Sequence, residues 1–259
     1  MPVSYIAVEG QHDAALIGRL LSNGGFRLVK RRSKMKQVPA FERLVPTEYP
    51  ENLIGRPPEC VFWQREDHTI GIHPVGGDSQ LIVAGATVTA QISGPISSLG
   101  FFIDADQETP ATRLLALTRD IQAMNPEPGF QFPAEAGQIH QGSPRCGVFV
   151  FPNNQDQGAI EAVLESCAEV AYPDLFTKSL AYLQGIDRQQ LTETERNRLG
   201  TVSNEKKARL SVIGSVLRPA AAIQNTIRDD RWICEETKDL VLVANIRTFL
   251  RDLLDEGTI

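Results

Sequence analysis

Short, wholly apolar stretches alternate along this chain with longer amphipathic ones, and their order predicts the elements. Ser4–Val8 reads as a buried strand, and Asp13–Leu21 as a helix with apolar residues at Ala14, Ala15, Ile17, Leu20 and Leu21. Asn23-Gly24-Gly25 ends that helix, because glycine takes the left-handed terminal conformation without penalty, and Phe26–Lys30 makes a second strand. A strand at Leu99–Ile103 and a helix over Ala111–Met124 repeat the pattern, the helix striped by Leu114, Leu115, Leu117, Ile121 and Met124. A third unit follows: strand Cys146–Phe151, the turn Pro152-Asn153-Asn154, and a helix over Ala159–Ala168. From Asp174 onward the periodicity is helical, over Leu175–Leu183, Asn204–Leu217 and Lys238–Leu254. The last of these carries an apolar stripe at Leu240, Leu242, Val243, Ile246, Phe249, Leu250 and Leu253, a candidate dimer face.

Residues 33 to 77 differ in character. They hold Pro39, Pro46, Pro50, Pro57 and Pro58 among short β-like pieces, and read as a partly extended insertion packed on the edge of the core. Gly76-Gly77-Asp78-Ser79 looks like a turn into a helix, with Asp78 or Ser79 capping Leu81–Gln91, although the β-branched residues there also suit a strand. Strands alternating with helices predict an α/β fold, a mainly parallel sheet flanked by helices. The expected division is an α/β domain over residues 1–170, with its insertion, and a helical C-terminal region over 171–259 packed on that core.

The totals narrow the class. At 259 residues the chain has ample surface to bury, and 42% hydrophobic with 22% charged residues is an ordinary globular balance. No apolar run reaches the ~18–20 residues of a membrane span, and the first residues lack a signal peptide's layout. Four scattered cysteines, with no metal spacing among them, read as reduced buried thiols, so a cytoplasmic location is expected. A net charge of −6 argues against coating nucleic acid by bulk electrostatics. Locally, Lys30, Arg31, Arg32, Lys34 and Lys36 fall within seven positions and form a candidate nucleic-acid contact, against the plainer reading of a solvated face. Lys206-Lys207-Ala208-Arg209 is a second basic cluster.

The candidate chemistry sits where apolar strands end in carboxylates. The first strand runs into Glu9-Gly10-Gln11-His12-Asp13, and the strand through Phe101-Phe102-Ile103 runs into Asp104-Ala105-Asp106. An open α/β sheet places its ligand site just outside the carboxyl ends of its parallel strands. Asp104 and Asp106 are two apart and share a face on an extended backbone. Glu9 and Asp13 are four apart and share one if the chain turns helical after Gly10. Such oxygen donors suit a hard divalent cation, Mg2+ or Mn2+. Each has a plainer alternative: Asp13 as a helix cap, Asp106 as the cap before Ala111, Glu161 as an exposed first-turn residue, and His12 as a helix-start side chain. No G-x-S-x-G, H-E-x-x-H or G-x-G-x-x-G motif occurs.

A strand ending in Glu-Gly-x-x-Asp and a second ending in Asp-x-Asp resemble the Toprim fold of primases, topoisomerases and the overcoming-lysogenisation-defect nucleases. The order Val8-Glu9-Gly10-x-x-Asp13, Gly76-Gly77, Ile103-Asp104-Ala105-Asp106 and Pro152-Asn153-x4-Gly158-x2-Glu161 resembles, more narrowly, a compact prokaryotic Toprim-like family of unknown function, the DUF3226 type, across residues 1 to about 215. The resemblance implies Glu9 as metal ligand or general acid/base, and Asp104 and Asp106 as the metal pair. It also implies Asp13 and Glu161 as the further acidic ligands of the nuclease-like branch. Lys207 matches that branch's late lysine, with Lys206 equally placed. Nuclease relatives carry a fused ATPase; this chain has no G-x-x-x-x-G-K-[ST] loop, so a separate ATPase or other protein partner is expected, or none. The leading expectation is divalent-metal-dependent phosphodiester hydrolysis of nucleic acid. The alternatives are a non-catalytic metal- or nucleic-acid-binding module and a small-molecule phosphohydrolase.

Overall fold

A computed structural model gives the architecture and describes residues 2–30, 41, 60–66, 68–92 and 94–257. In chain order the elements are β1 (Val3–Val8), α1 (Gln11–Asn23), β2 (Arg27–Leu28), β3 (Val61–Arg65), β4 (His68–Pro74), α2 (Asp78–Gln91), β5 (Ser98–Asp104) and α3 (Pro110–Met124). They continue with β6 (Ile139–His140), β7 (Arg145–Phe151), α4 (Ile160–Ala171), α5 (Pro173–Gln184), α6 (Glu193–Leu199), α7 (Val202–Leu217), α8 (Ile223–Asp229) and α9 (Val241–Leu254). Among the described residues the strands form one sheet in the order β2-β3-β4-β1-β5-β7-β6. The central four, β4, β1, β5 and β7, are mutually parallel, and β2, β3 and β6 pair antiparallel at the margins. The expected α/β fold with a mainly parallel sheet is the observed one.

Buried on both faces, the parallel strands need apolar residues at consecutive positions instead of alternation, as Val3-Ser4-Tyr5-Ile6-Ala7-Val8 shows. Their two faces feed two cores. Ile6, Val8, Phe102, Phe149 and Phe151 pack against α1, α4 and α7–α9, while Tyr5, Ala7, Leu99, Phe101, Val148 and Val150 pack against α2 and α3. α2 is a helix despite its valines and threonines, because it buries Leu81, Ala84, Ala86 and Val88 against the sheet, and packing outweighs propensity.

Three expectations change. Residues 68–74, read as part of an edge insertion, are the sheet strand β4 between β3 and β1: parallel pairing to β1 places them centrally. The second strand contracts to Arg27–Leu28, an edge strand paired on one side only. The stripe of α9 faces inward, with Val243, Ile246, Phe249, Leu250 and Leu253 buried, and so cannot be a dimer face. Phe249 stands edge-on to Phe102, their ring centres 5.4 Å apart. Gly100 and Gly147, register partners on β5 and β7, make the notch: a Cβ on Gly147 would lie 2.8 Å from Phe249 Cζ, and one on Gly100 2.7 Å from Leu253 Cδ2. Among the described residues no helix is long and apolar enough to cross a membrane.

Candidate functional site

Because β1, β4, β5 and β7 run the same way, their four strand-to-helix junctions open on one edge of the sheet. Glu9 follows β1, and its carbonyl accepts from the N–H of Gly76 at 2.9 Å and of Gly77 at 3.0 Å, which ties the β4–α2 turn to the end of β1. Both glycines have positive φ, 89° and 118°, and open space where a Cβ would stand, so conformation and not room requires glycine there. Asp106 also has positive φ, 53°, and its N–H donates to Gly158 O at 2.7 Å, joining the β5 loop to the β7 loop. The chain has therefore left the extended conformation at Asp106, and the shared-face argument for Asp104 and Asp106 does not apply. Similarly, α1 begins at Gln11, so Glu9 and Asp13 do not share helical spacing.

Three of the carboxylates are held by backbone donors. Asp104 N–H donates to Glu9 Oε1 at 2.8 Å, Gly10 N–H to Asp13 Oδ2 at 2.7 Å, and Ile160 N–H to Asp104 Oδ1 at 3.0 Å. Asp13 does cap the helix start, yet it is buried; Thr109, not Asp106, caps α3; and Glu161, far from being exposed, is 3% accessible. Asp106 is exposed. Glu161 Oε1 lies 3.8 Å from Lys207 Nζ, and its Oε2 is buried with no hydrogen-bond partner among the described residues. Lys206 pairs instead with Glu165, at 3.5 Å, which distinguishes the two lysines that sequence could not.

Burial dominates the electrostatics. It pushes the Asp104 carboxyl up to about 8, aided by the charges of Asp13, Glu161 and Asp106. Glu9 rises to about 8 through burial and then Asp104, with Asp78 adding to it. Asp13 rises to about 8 through burial, with Glu9 and Glu161 contributing and Lys207 opposing. His12 belongs to the same neighbourhood: burial lowers its pKa, Glu161 raises it and Lys207 lowers it.

Two members escaped the sequence reading. Arg113 on α3 donates through Nε to Asp104 O at 2.8 Å, through Nη2 to Asp78 Oδ1 at 2.7 Å, and approaches Glu9 Oε1 at 3.4 Å. Asp78, read as a helix cap, is instead the first residue of α2 and the partner of this arginine; Gly77 is the cap. A signal did exist: an arginine near a helix N-terminus opposes the helix dipole and so calls for a nearby anion. The basic run separates by position. β2 pairs antiparallel to β3, and β3 to β4, so β2 points to the same edge as the parallel strands. Lys30, exposed just past β2, leaves at that edge three strand spacings from β1, roughly 14 Å. Arg31, Arg32, Lys34 and Lys36 lie outside the described residues.

Among the described residues no three His, Cys, Asp or Glu side chains stand converged as ready ligands of an ion. Glu9, Asp13 and Asp104 each accept a backbone N–H instead. The donor set still fits a hard divalent cation: it is all oxygen, it comes from three strand ends, and Glu161 Oε2 is a buried acceptor with no hydrogen-bond partner among the described residues.

Residues 3–255 match the family model described as "Protein of unknown function (DUF3226)". The hypothetical protein PH0156 from Pyrococcus horikoshii OT3, known from its crystal structure, has a similar fold, with a TM-score of 0.50 over 98% of each chain at 14% identity. None of the curated proteins compared with this chain matches it.

Proposed function

This chain belongs to the DUF3226 family of proteins of unknown function, and from that premise we propose that it is a divalent-metal-dependent phosphodiesterase acting on nucleic acid, a nuclease or nicking enzyme of the Toprim kind. The observation that carries the reading is the buried Glu161 Oε2, which has no hydrogen-bond partner among the described residues and lies beside Asp13 and Asp104, whose carboxyls are pushed up to about 8. A carboxylate oxygen buried without a hydrogen bond is strongly destabilising, and a cation bound between it and the neighbouring carboxyls would compensate it. The likeness of Glu9-Gly10-x-x-Asp13 and Asp104-x-Asp106 to Toprim nucleases supports the same chemistry.

Glu9, Asp13, Asp104, Asp106 and Glu161 would hold Mg2+ or Mn2+. When bound, such ions activate a water and neutralise phosphate charge. Glu9 would serve as a ligand of the ion or as the general acid/base, the two roles that its likeness to the first Toprim glutamate allows. Lys207, half-exposed and 3.8 Å from Glu161, would balance charge developing on the phosphate. Lys30 and the basic residues after it would track the nucleic-acid backbone. A separate ATPase or other protein is a candidate partner.

The test is titration of Mn2+ and Mg2+ into wild type and the Asp104→Ala/Asp106→Ala double variant, followed by incubation of both with supercoiled plasmid. Binding and nicking are expected in wild type and absent from the variant. Metal binding without cleavage would make the protein a binding or regulatory module, and no metal binding by wild type would reduce the carboxylates to caps.

A further inference from the structure

We propose that Arg113 is a phosphate-binding residue, seated by Asp78, so that the carboxylate cluster receives an anionic phosphodiester between two cations, Arg113 at the Glu9 end and Lys207 at the Glu161 end. This rests on the phosphodiesterase reading and adds to it the group that grips the substrate.

Arg113 occupies an unfavourable position for a cation. It is the fourth residue of α3, where the positive pole of the helix disfavours a cation. Three acceptors hold it there: Asp78 Oδ1 at 2.7 Å, the Asp104 carbonyl at 2.8 Å and, more distantly, Glu9 Oε1 at 3.4 Å. All three use Nε and Nη2. Among the described residues Nη1 has no acceptor, and the side chain is 16% accessible. A guanidinium carries five N–H donors in a rigid fork, so one edge pinned by protein fixes the direction in which the other edge faces. An arginine anchored in this way loses little conformational freedom when it binds a phosphate oxygen.

Charge balance gives the grip a purpose. Glu9, Asp13, Asp78, Asp104, Asp106 and Glu161 are six carboxyl groups at one sheet edge, and an anionic substrate approaching them is repelled. Among the described residues Lys207, 3.8 Å from Glu161, and Arg113 are the cations that contact this cluster, and they touch different members of it. A phosphodiester carries two non-bridging oxygens that can be met from two sides, and arginine suits phosphate better than any other side chain. Asp78 is then a positioning residue: it contacts the arginine and is exposed at the start of α2.

The experiment uses the full chain and the variants Arg113→Ala, Arg113→Lys and Asp78→Asn. The readouts are Mn2+ affinity by calorimetry, and kcat and KM for hydrolysis of bis(p-nitrophenyl) phosphate with Mn2+. Melting temperature reports folding. Arg113→Ala is expected to keep Mn2+ affinity while KM rises about tenfold, the effect of losing one charge-assisted hydrogen bond. Arg113→Lys, with the charge but not the fork, should fall between, and Asp78→Asn should raise KM more than it lowers kcat. An unchanged KM in Arg113→Ala, or in Arg113→Lys if the alanine variant does not fold, would reduce Arg113 to a brace between α2, α3 and β5. Loss of Mn2+ binding by a folded Arg113→Ala would also overturn the proposal, since the arginine would then be ordering carboxylates. If wild type itself binds no Mn2+ and hydrolyses nothing, the phosphodiesterase reading falls first and takes this one with it.

Discussion

At the residue scale, environment changes what a carboxylate does. Asp104 is an ordinary acid in the sequence, but the fold removes it from water beside Asp13 and Glu161 and pushes its carboxyl to about 8, against roughly 3.9 for an aspartate in an unfolded chain. Between those two values the folded, metal-free protein binds more protons than the unfolded chain. The stabilisation is therefore complete below about pH 4 and is lost as pH rises through about 8. Asp104→Asn keeps the oxygen that accepts from Ile160 N–H and removes the ionisation. In EDTA at pH 8.5 it should exceed wild type by about 2–4 kcal/mol, and at about pH 3.5, below both pKa values, the two should match. Calorimetric melting at both pH values checks this, and a difference independent of pH would refute it. The strand-end carboxylates were legible because apolar runs that stop at acids are visible in sequence. Arg113 and Asp78 were not, since they lie 35 residues apart and meet only across the β4–α2 and β5–α3 junctions.

Elements followed periodicity where one face decides and departed from it where a partner decides. The parallel strands β1, β5 and β7 and the helices α1, α3 and α4 fall at the expected places, because continuous apolar runs and amphipathic stripes are local signals. β4 was missed as a central strand, since nothing in His68-Thr69-Ile70-Gly71-Ile72-His73-Pro74 says that β1 will take it as a parallel neighbour. The glycine notch under α9 is equally non-local. Gly147→Ala would place a Cβ 2.8 Å from Phe249 Cζ and 2.5 Å from Ile139 Cδ1, and a ring packed between two other phenylalanines yields poorly. A loss of about 1–3 kcal/mol is expected in urea unfolding. Gly100→Ala should be milder, because its nearest atom is the mobile end of Leu253. Equal stability of Gly147→Ala and wild type would mean that α9 does not seat in the notch.

At the scale of the molecule, α9 closes the sheet instead of offering a surface. Asp255 and Glu256, just past it, bind Arg145, Arg65 and His68, and fasten the end of the helix across three strands. Leu250→Ala should therefore lower stability by about 2–5 kcal/mol and leave the sedimentation coefficient of the folded protein unchanged. A shift in oligomeric state at unaltered stability would instead return the stripe to a subunit interface. The sequence by itself determined the α/β class, the strand-to-helix junctions and the acids at their ends, because these depend on residues adjacent in the chain. The tertiary structure alone decided that β4 is central and that the α9 stripe is internal. It also decided that Lys207 and not Lys206 reaches Glu161, and that Arg113 joins Asp78 to the end of β5. Each of these is a pairing between distant segments, fixed by strand register and by which apolar faces find one another, and single-chain periodicity carries neither.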